Sequence, residues 1–370
     1  LKWVRRTRLT LLWHAMDNTA IVLVVVVLAA FASRVSAYDY HPSDFAISAR
    51  YGDPSDPNDY SDPNRPFCGI KEPGSPYDPV FGYYDKPRSA TGGPTQLTRY
   101  NYFDGEPNEP VNPAYPAYRA NEVVTIGNGS ASRPFCLVLE FDHPVANDLN
   151  NQYGMDFIVF GNAYLTNDAP NGYWPKGGDP ATIHIAAGLY GVPGVFEEPG
   201  IVSISQDGTT WYTYAPLTYP RADSFAPTAA YAWDYERGRW DVNSPLDPTR
   251  PVDPNLAPGG LLGLTVAQAI ESYDGSAGGT AFDISVFGLD WIRYVKITDD
   301  PTKLSTTEID AVADVSACGD YRHPFPEGDL NLDCRVDFRD LAVLGADWVG
   351  QATELAPIAA NWLACSWECN

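Results

Sequence analysis

Histidine is scarce in this 370-residue chain, and the motifs that mark most hydrolytic and phosphoryl-transfer centres are missing. The five histidines, His14, His41, His143, His184 and His323, are dispersed. There is no His-Glu-x-x-His, no Gly-x-Ser-x-Gly elbow, no phosphate loop and no closely spaced cysteine pair of zinc type. These absences remove the motif-borne metalloprotease, α/β-hydrolase and nucleotide-hydrolase readings. His184, within Ile183-His184-Ile185, reads as a core histidine of an apolar strand. The acid pairs Glu197-Glu198 and Asp299-Asp300 read as solvated turns, because neighbours on a strand point to opposite faces and cannot flank one glycosidic bond. No catalytic constellation emerges, and a noncatalytic role is expected.

Positive charge is short as well. Lys and Arg number 24 against 47 Asp and Glu, for a net charge of −23. Such a surface repels phosphate backbones and anionic lipid, so nucleic acid is not an expected partner, whereas divalent cations and neutral glycans fit. The apolar run from Ala20 to Ala32 has thirteen residues, and a helix of that length rises only about 20 Å against a hydrocarbon core of about 30 Å. Preceded by Lys2, Arg5, Arg6 and Arg8 and followed by Val35-Ser36-Ala37, it reads as a signal peptide over residues 1–37. Its removal takes away five cations and one anion, leaving −27 and no transmembrane span in an extracellular or cell-surface chain. Export places Cys68, Cys136, Cys318, Cys334, Cys365 and Cys369 outside the reducing cytosol, where disulfides are expected. Arg65-Pro66-Phe67-Cys68 is echoed by Arg133-Pro134-Phe135-Cys136, which suggests one bridge between them.

With 33 Pro and 31 Gly, long loops are present and helices few. Residues 38–120, rich in Tyr, Pro and Asp, read as an irregular extension packed on the main domain. Strands follow at Val123-Val124-Thr125-Ile126, Cys136 to Phe141, Asp156 to Phe160, Ile183 to Ile185, Ile201 to Ser205, Trp211 to Tyr214 and Trp291 to Ile297. Alternation in several of them predicts sheets with one buried face. An Asp207-Gly208 turn predicts a hairpin over Ile201–Tyr214, and Thr265 to Ser272 is the one amphipathic helix expected before the C-terminal segment. Aromatic residues Phe81, Tyr83, Tyr84, Tyr100, Tyr102 and Phe103 read as loop-covered core ahead of sugar-stacking rings. The expected fold is mainly β, a β-sandwich over residues 121–318.

In order, Leu137 to Phe141, Asp156 to Asn162, Glu198 to Gly208, Ile292 to Ile297 and Glu308 to Val312 resemble secreted bacterial cell-surface proteins with a galactose-binding-like jelly roll. The resemblance covers roughly residues 121–315 and implies glycan or surface binding. Asp156, Asn162 and Asp310 flank strands in its segments, so they either form one rim site for an ion or a sugar or cap turns.

From Asp329, a twelve-residue loop places oxygen groups at EF-hand spacing: Asp329, Asn331, Asp333, the Arg335 carbonyl, Asp337 and Asp340. This stretch is similar to the first repeat of a type I dockerin, with a helix expected over Phe338–Val349. Asp340 to Val349 recurs as Glu354 to Leu363 without a second carboxylate loop, so residues 319–370 are expected to bind one calcium ion. Cys334 stands where the loop's turn favours Gly. A bridge from Cys334 to Cys365, with Cys369 as the alternative, would close about thirty residues and contribute about 3–4 kcal/mol. Cys318 would then pair with Cys369. The resemblance implies a cohesin-like or cell-surface docking protein as partner. The function expected is thus a secreted, noncatalytic surface- or polysaccharide-binding protein with a calcium-dependent docking module. The alternative is an extracellular enzyme of polysaccharide catabolism, glycoside hydrolase in type, carried by that module.

Overall fold

Short runs of β-branched and aromatic residues, separated by Gly, Pro and Asp, give an architecture that is mainly β. The computed structural model describes residues 44–52, 87–98, 108–117, 119, 121–126, 136–149, 151–169, 178–187, 194–228, 231–300, 307–315, 326–330, 336–346 and 355–363. In chain order the strands are β1 (Ser48–Tyr51), β2 (Leu97–Thr98), β3 (Glu109–Pro110), β4 (Val124–Thr125), β5 (Cys136–Ala146), β6 (Phe157–Gly161), β7 (Tyr164–Leu165) and β8 (Val195–Phe196). They continue as β9 (Gly200–Ser205), β10 (Tyr212–Thr213), β11 (Tyr231–Asp234), β12 (Arg239–Pro245), β13 (Thr280–Phe282), β14 (Trp291–Asp299) and β15 (Glu308–Asp314). The α-helices are α1 (Val266–Ser272), α2 (Phe338–Ala346) and α3 (Leu355–Ala360). Among the described residues no helix is long and apolar enough to cross a membrane.

Two antiparallel sheets carry the core, ordered β1-β5-β14-β9-β10 and β13-β6-β15-β4. Alternate residues of the first, Leu137, Leu139, Val202, Ile204, Val295 and Ile297, meet Val124, Phe157, Val159, Phe282, Ile309 and Val312 of the second in one buried cluster. The second sheet is covered on its other face too. Ile158 and Phe160 of β6 and Ala311 and Ala313 of β15 join Leu165, Ile185 and the α1 residues Val266, Ala269 and Ile270 in another core. This corrects the expectation of a single buried face, since every residue of β6 is buried. Its unbroken apolar run suits a strand enclosed on both sides.

Local chemistry fixes the elements around these sheets. Helix α1 starts in a capping box: the Gln268 N–H donates to the Thr265 hydroxyl oxygen at 3.2 Å and the Thr265 N–H donates to the Gln268 side chain at 2.9 Å. The β9–β10 hairpin turns at Gly208, whose φ is +73°. Backbone N–H groups of Thr210 and Thr209 donate to Asp207 and hold its carboxyl well below the usual range. Strand β5 breaks register with β14 between Glu140 and Val145, around Pro144, which cannot donate to a ladder. His143 in this break lies 3.0 Å from Asp314 and 2.6 Å from Asp142.

Several segments depart from the sequence reading. The 38–120 stretch contributes β1, which pairs with β5 at the edge of the first sheet. No strand was expected between Tyr214 and Trp291, yet β11 and β12 form a hairpin there in which Trp233 and Trp240 meet edge-on at 5.3 Å. Ile183 to Ile185 makes only isolated bridges, and His184 is half exposed beside Asp168 at 3.2 Å, not a core residue. Asp299 and Asp300 are buried, not solvated: the Thr307 N–H donates to Asp299 at 3.3 Å, and Arg221 pairs with Asp300 at 2.8 Å. Cys136 is buried at the start of β5, while Cys68, Cys318, Cys334, Cys365 and Cys369 lie outside the described residues.

Because β6 feeds two cores, Phe157→Ala and Phe160→Ala should each lower stability by about 3–5 kcal/mol in urea denaturation. A sheet with one wet face would instead leave one of the two close to neutral, within about 0.5 kcal/mol.

Candidate functional site

In the C-terminal segment, α2 and α3 enclose a small apolar cluster of Val336, Leu344 and Ile358, flanked by Leu330, Leu341 and Trp362. Phe338 packs edge-on against Trp362 at 5.0 Å, and the Leu363 N–H donates to the Val336 carbonyl at 2.8 Å. Asp340, fully buried in the first turn of α2, spans both ends of the acidic loop. One of its oxygens accepts the Leu330 N–H and the other the Asp337 N–H, each at 2.7 Å. Asp329 is also buried and follows Gly328, whose φ of +101° and close approach to the α3 backbone leave no room for a Cβ. Asn331, Asp333 and Arg335 lie outside the described residues, as does Trp348. Among the described residues no group of three or more His, Cys, Asp or Glu side chains is gathered closely enough to hold a metal.

Polar groups at the ends of β6 and β15 are drawn into the interior. Asp156 accepts hydrogen bonds from the Ile284 N–H at 2.8 Å, the Asn151 amide at 2.9 Å and the Asp148 N–H at 3.1 Å, and burial pushes it up to about 6. Past the other end of β6, Asn162 donates through Nδ2 to Glu308, while its buried Oδ1 has no hydrogen-bond partner. Glu308 also accepts the Thr125 hydroxyl at 2.8 Å, and burial raises it to about 7. Asp310 sits where β15 slips register against β6. It accepts the N–H and hydroxyl of Thr95 at 2.8 and 2.9 Å, and burial, with Glu122 nearby, raises it to about 8. Asp156 and Asn162 are six residues apart along an extended strand, roughly 20 Å, so Asp156, Asn162 and Asp310 do not meet in one rim site.

The sequence reading missed the partner of this corner. Asp223, buried with φ of +58°, accepts the Ala163 N–H at 2.6 Å and the Glu198 N–H at 3.2 Å, its carboxylate lying over Gly161 where a Cβ would collide. Burial first, then Glu198 and Glu308, raise its pKa well above the usual value. Asp223 lies in an irregular stretch with no motif around it, so no sequence signal was available.

A cleft of about 410 Å³ opens along the free side of edge strand β13. Tyr214 and Phe282 form its floor, with rings 5.0 Å apart, and Tyr219 meets Tyr214 edge-on at 5.6 Å. Phe225 and Leu256 line its walls and Asp253 and Asp283 stand at its rim. The Tyr214 hydroxyl donates to the Asp283 carbonyl at 2.8 Å, locking the floor to the rim. Asp283 accepts the Ser285 N–H through Oδ1 and Asp253 the Asn255 N–H through Oδ1, at 2.7 and 2.8 Å. An apolar cleft of this size with a few convergent polar groups has the make-up of a small-ligand site. Phe81, Tyr83, Tyr84, Tyr100, Tyr102 and Phe103 lie outside the described residues. No family model, curated protein or solved structure matches the chain.

The raised carboxyls carry a pH signature. Asp156, Glu308 and Asp310 bind protons more tightly folded than unfolded, so their contribution is most favourable below about pH 4 and is lost as pH rises through 6 to 8. Urea midpoints should therefore fall between pH 5 and 8.5, and Asp310→Asn should flatten the upper part of that decline; an unchanged slope in the variant would contradict the assignment.

Proposed function

We propose that the protein is an exported, noncatalytic polysaccharide- or surface-binding protein of galactose-binding-like jelly-roll type, carrying a calcium-dependent dockerin-like module over residues 319–370. The cleft beside β13 carries this reading: Tyr219 offers a ring for the apolar face of a sugar, and Asp253 and Asp283 offer acceptors for its hydroxyls. A neutral glycan suits a site whose rim charges are both negative. For the C-terminal segment, Asp329, Asn331, Asp333, the Arg335 carbonyl, Asp337 and Asp340 would hold one calcium ion, an all-oxygen set that suits a hard cation. Asp340 supports this fit as a buried carboxylate that accepts N–H groups from both ends of the loop. Bound calcium would tie the two ends of the loop to α2, presenting the helices to a cohesin-like or cell-surface docking protein.

The second reading, an extracellular enzyme of polysaccharide catabolism, rests on the Asp223 and Glu308 corner, where two carboxyls with raised pKa values lie close enough to influence each other. Their oxygens are held by backbone and side-chain donors inside the fold, which favours a structural role.

Purified protein incubated with a panel of neutral polysaccharides, assayed for both co-sedimentation and released reducing ends, separates the readings. Retention without new ends is expected, weakened about tenfold, or 1.4 kcal/mol, by Tyr219→Ala. Release of ends that disappears in Glu308→Gln would establish the enzyme, and neither retention nor release would refute both. Titration calorimetry should show one calcium site, abolished by Asp329→Ala; two sites, or none, would contradict the docking module.

A further inference from the structure

Negative charge at the rim of the cleft beside β13 turns away anionic sugars, which leaves neutral and cationic ones to be told apart. Among the described residues, those around the cleft include no Lys, Arg or His, so its formal charges are the carboxylates of Asp253 and Asp283. Asp283 accepts the Ser285 N–H through Oδ1 at 2.7 Å, and Asp253 accepts both the Asn255 N–H and the Asn255 amide through Oδ1, at 2.8 and 2.9 Å. Among the described residues no donor or cation meets the Oδ2 atom of either acid.

Aromatic rings accompany these acids. Tyr214, 2 % exposed, is wedged among Phe282, Phe287 and Tyr219, with ring centres 5.0, 4.9 and 5.6 Å away, and Phe225 on the wall is backed by Tyr273 at 5.1 Å. Burial, and then the charges of Asp156 and Asp283, raise the Tyr214 hydroxyl above its usual range. Its proton is donated to the Asp283 carbonyl, so it does not compete for the Asp283 carboxylate. The floor is fixed before a ligand arrives, and little ordering remains to be done on binding. Ring faces and carboxylates without a counterion both attract a protonated amine: the face of a ring is its negative side, and a charge-assisted N–H···O bond is roughly twice as strong as a neutral one. A hydroxyl in the same place gains only the weaker bond.

We propose that the cleft selects an amino sugar with a free, protonated amine over its neutral and N-acetylated counterparts; this rests on the reading of the protein as a polysaccharide binder with its site in the cleft. The apolar face of the sugar lies on Tyr219, as for a neutral sugar, and the ammonium reaches the open oxygens of Asp253 and Asp283. The net charge of −23 assists the approach of any polycation and does not discriminate among them. Discrimination comes from the cleft.

Titration calorimetry of the purified protein with matched short oligomers of glucosamine, N-acetylglucosamine and glucose, at a mildly acidic pH where the amine is protonated, tests the proposal. The glucosamine oligomer should bind about tenfold tighter than the other two, and the preference should shrink as added salt screens the charges. Asp253→Asn combined with Asp283→Asn should bring the preference close to one, because Asn keeps an Oδ1 acceptor for the Asn255 and Ser285 N–H groups while removing the charge. Tyr219→Ala should weaken all three oligomers together. Equal affinity of the wild-type protein for the three would overturn the amine preference and leave the proposed function standing, as would no binding of any of them by a protein that still sediments with neutral polysaccharides. Absence of binding to every polysaccharide would overturn both. A short lysine oligomer that binds the wild-type protein as tightly as the glucosamine oligomer, or a preference that the double variant retains, would assign the attraction to the acidic surface at large and overturn the cleft as its source. The comparisons on wild-type protein decide the matter whether or not the double variant folds.

Discussion

Enclosure of β6 on both faces is the constraint on which the other parts of this structure depend. Phe157 and Val159 enter the core between the sheets, and Ile158 and Phe160 enter the one beneath α1. Each such side chain contributes about 1.5–3 kcal/mol when fully withdrawn from water, so neither face can be given up without losing most of a core. A strand covered on both sides has no wet surface where polar residues can alternate. Its polar neighbours are therefore displaced to its ends, and those ends are covered by the loops that connect the sheets. Asp156, Asn162, Glu308 and Asp310 are consequences of that arrangement. They are enclosed because the strands they terminate are enclosed, and their raised pKa values report the enclosure.

The abundance of Asp acquires a structural meaning in the same terms. A chain with few helices and many turns leaves backbone N–H groups without ladder partners, and Asp is the residue that supplies acceptors locally. Asp207 serves Thr209 and Thr210, Asp179 serves Ala181, Asp253 serves Asn255 and Asp247 serves Thr249. At longer range Asp223 serves Ala163 and Glu198, and Asp156 serves Asp148 and Ile284. Much of the acidity is thus employed in holding loops, which is why acid-rich stretches in this chain are poor guides to ligand sites. Asp340 does the same between Leu330 and Asp337, and its case for a cation rests on spacing along the loop in addition to burial.

What was legible in the sequence was local. The β9–β10 hairpin announced itself through Asp207-Gly208, and α1 through the amphipathic run Thr265 to Ser272, because turn chemistry and helical periodicity are written within a few residues. Strand β1 was not legible: its four residues, Ser48–Tyr51, gain strand character only by pairing with Leu137 to Glu140, nearly ninety positions later. The β11–β12 hairpin was hidden by a turn, Tyr235 to Gly238, that interrupts an otherwise polar stretch. The unbroken apolar run Phe157 to Phe160 carried the sign of two-sided burial, which alternation in the other strands overshadowed, whereas the enclosure of the strand-end acids could not be foreseen. The cleft is less legible still, since Tyr219, Leu256 and Phe282 come from three segments that meet only in the fold.

Net charge is the quantity most easily misread from composition. Counting every Asp and Glu as an anion gives −23, yet burial raises Asp310 and Glu308, so both hold protons to higher pH than ordinary carboxyls do. Others that remain ionised, such as Asp207, spend their charge on the N–H groups of their own turn. The field that a ligand meets depends on which charges face outward and how near they are, since screening erases the remainder within about a Debye length. On the outward face of the first sheet, Glu140 is shared between Arg293 and Tyr294. Composition fixes the sum of the charges; which of them face outward is decided by the fold, residue by residue.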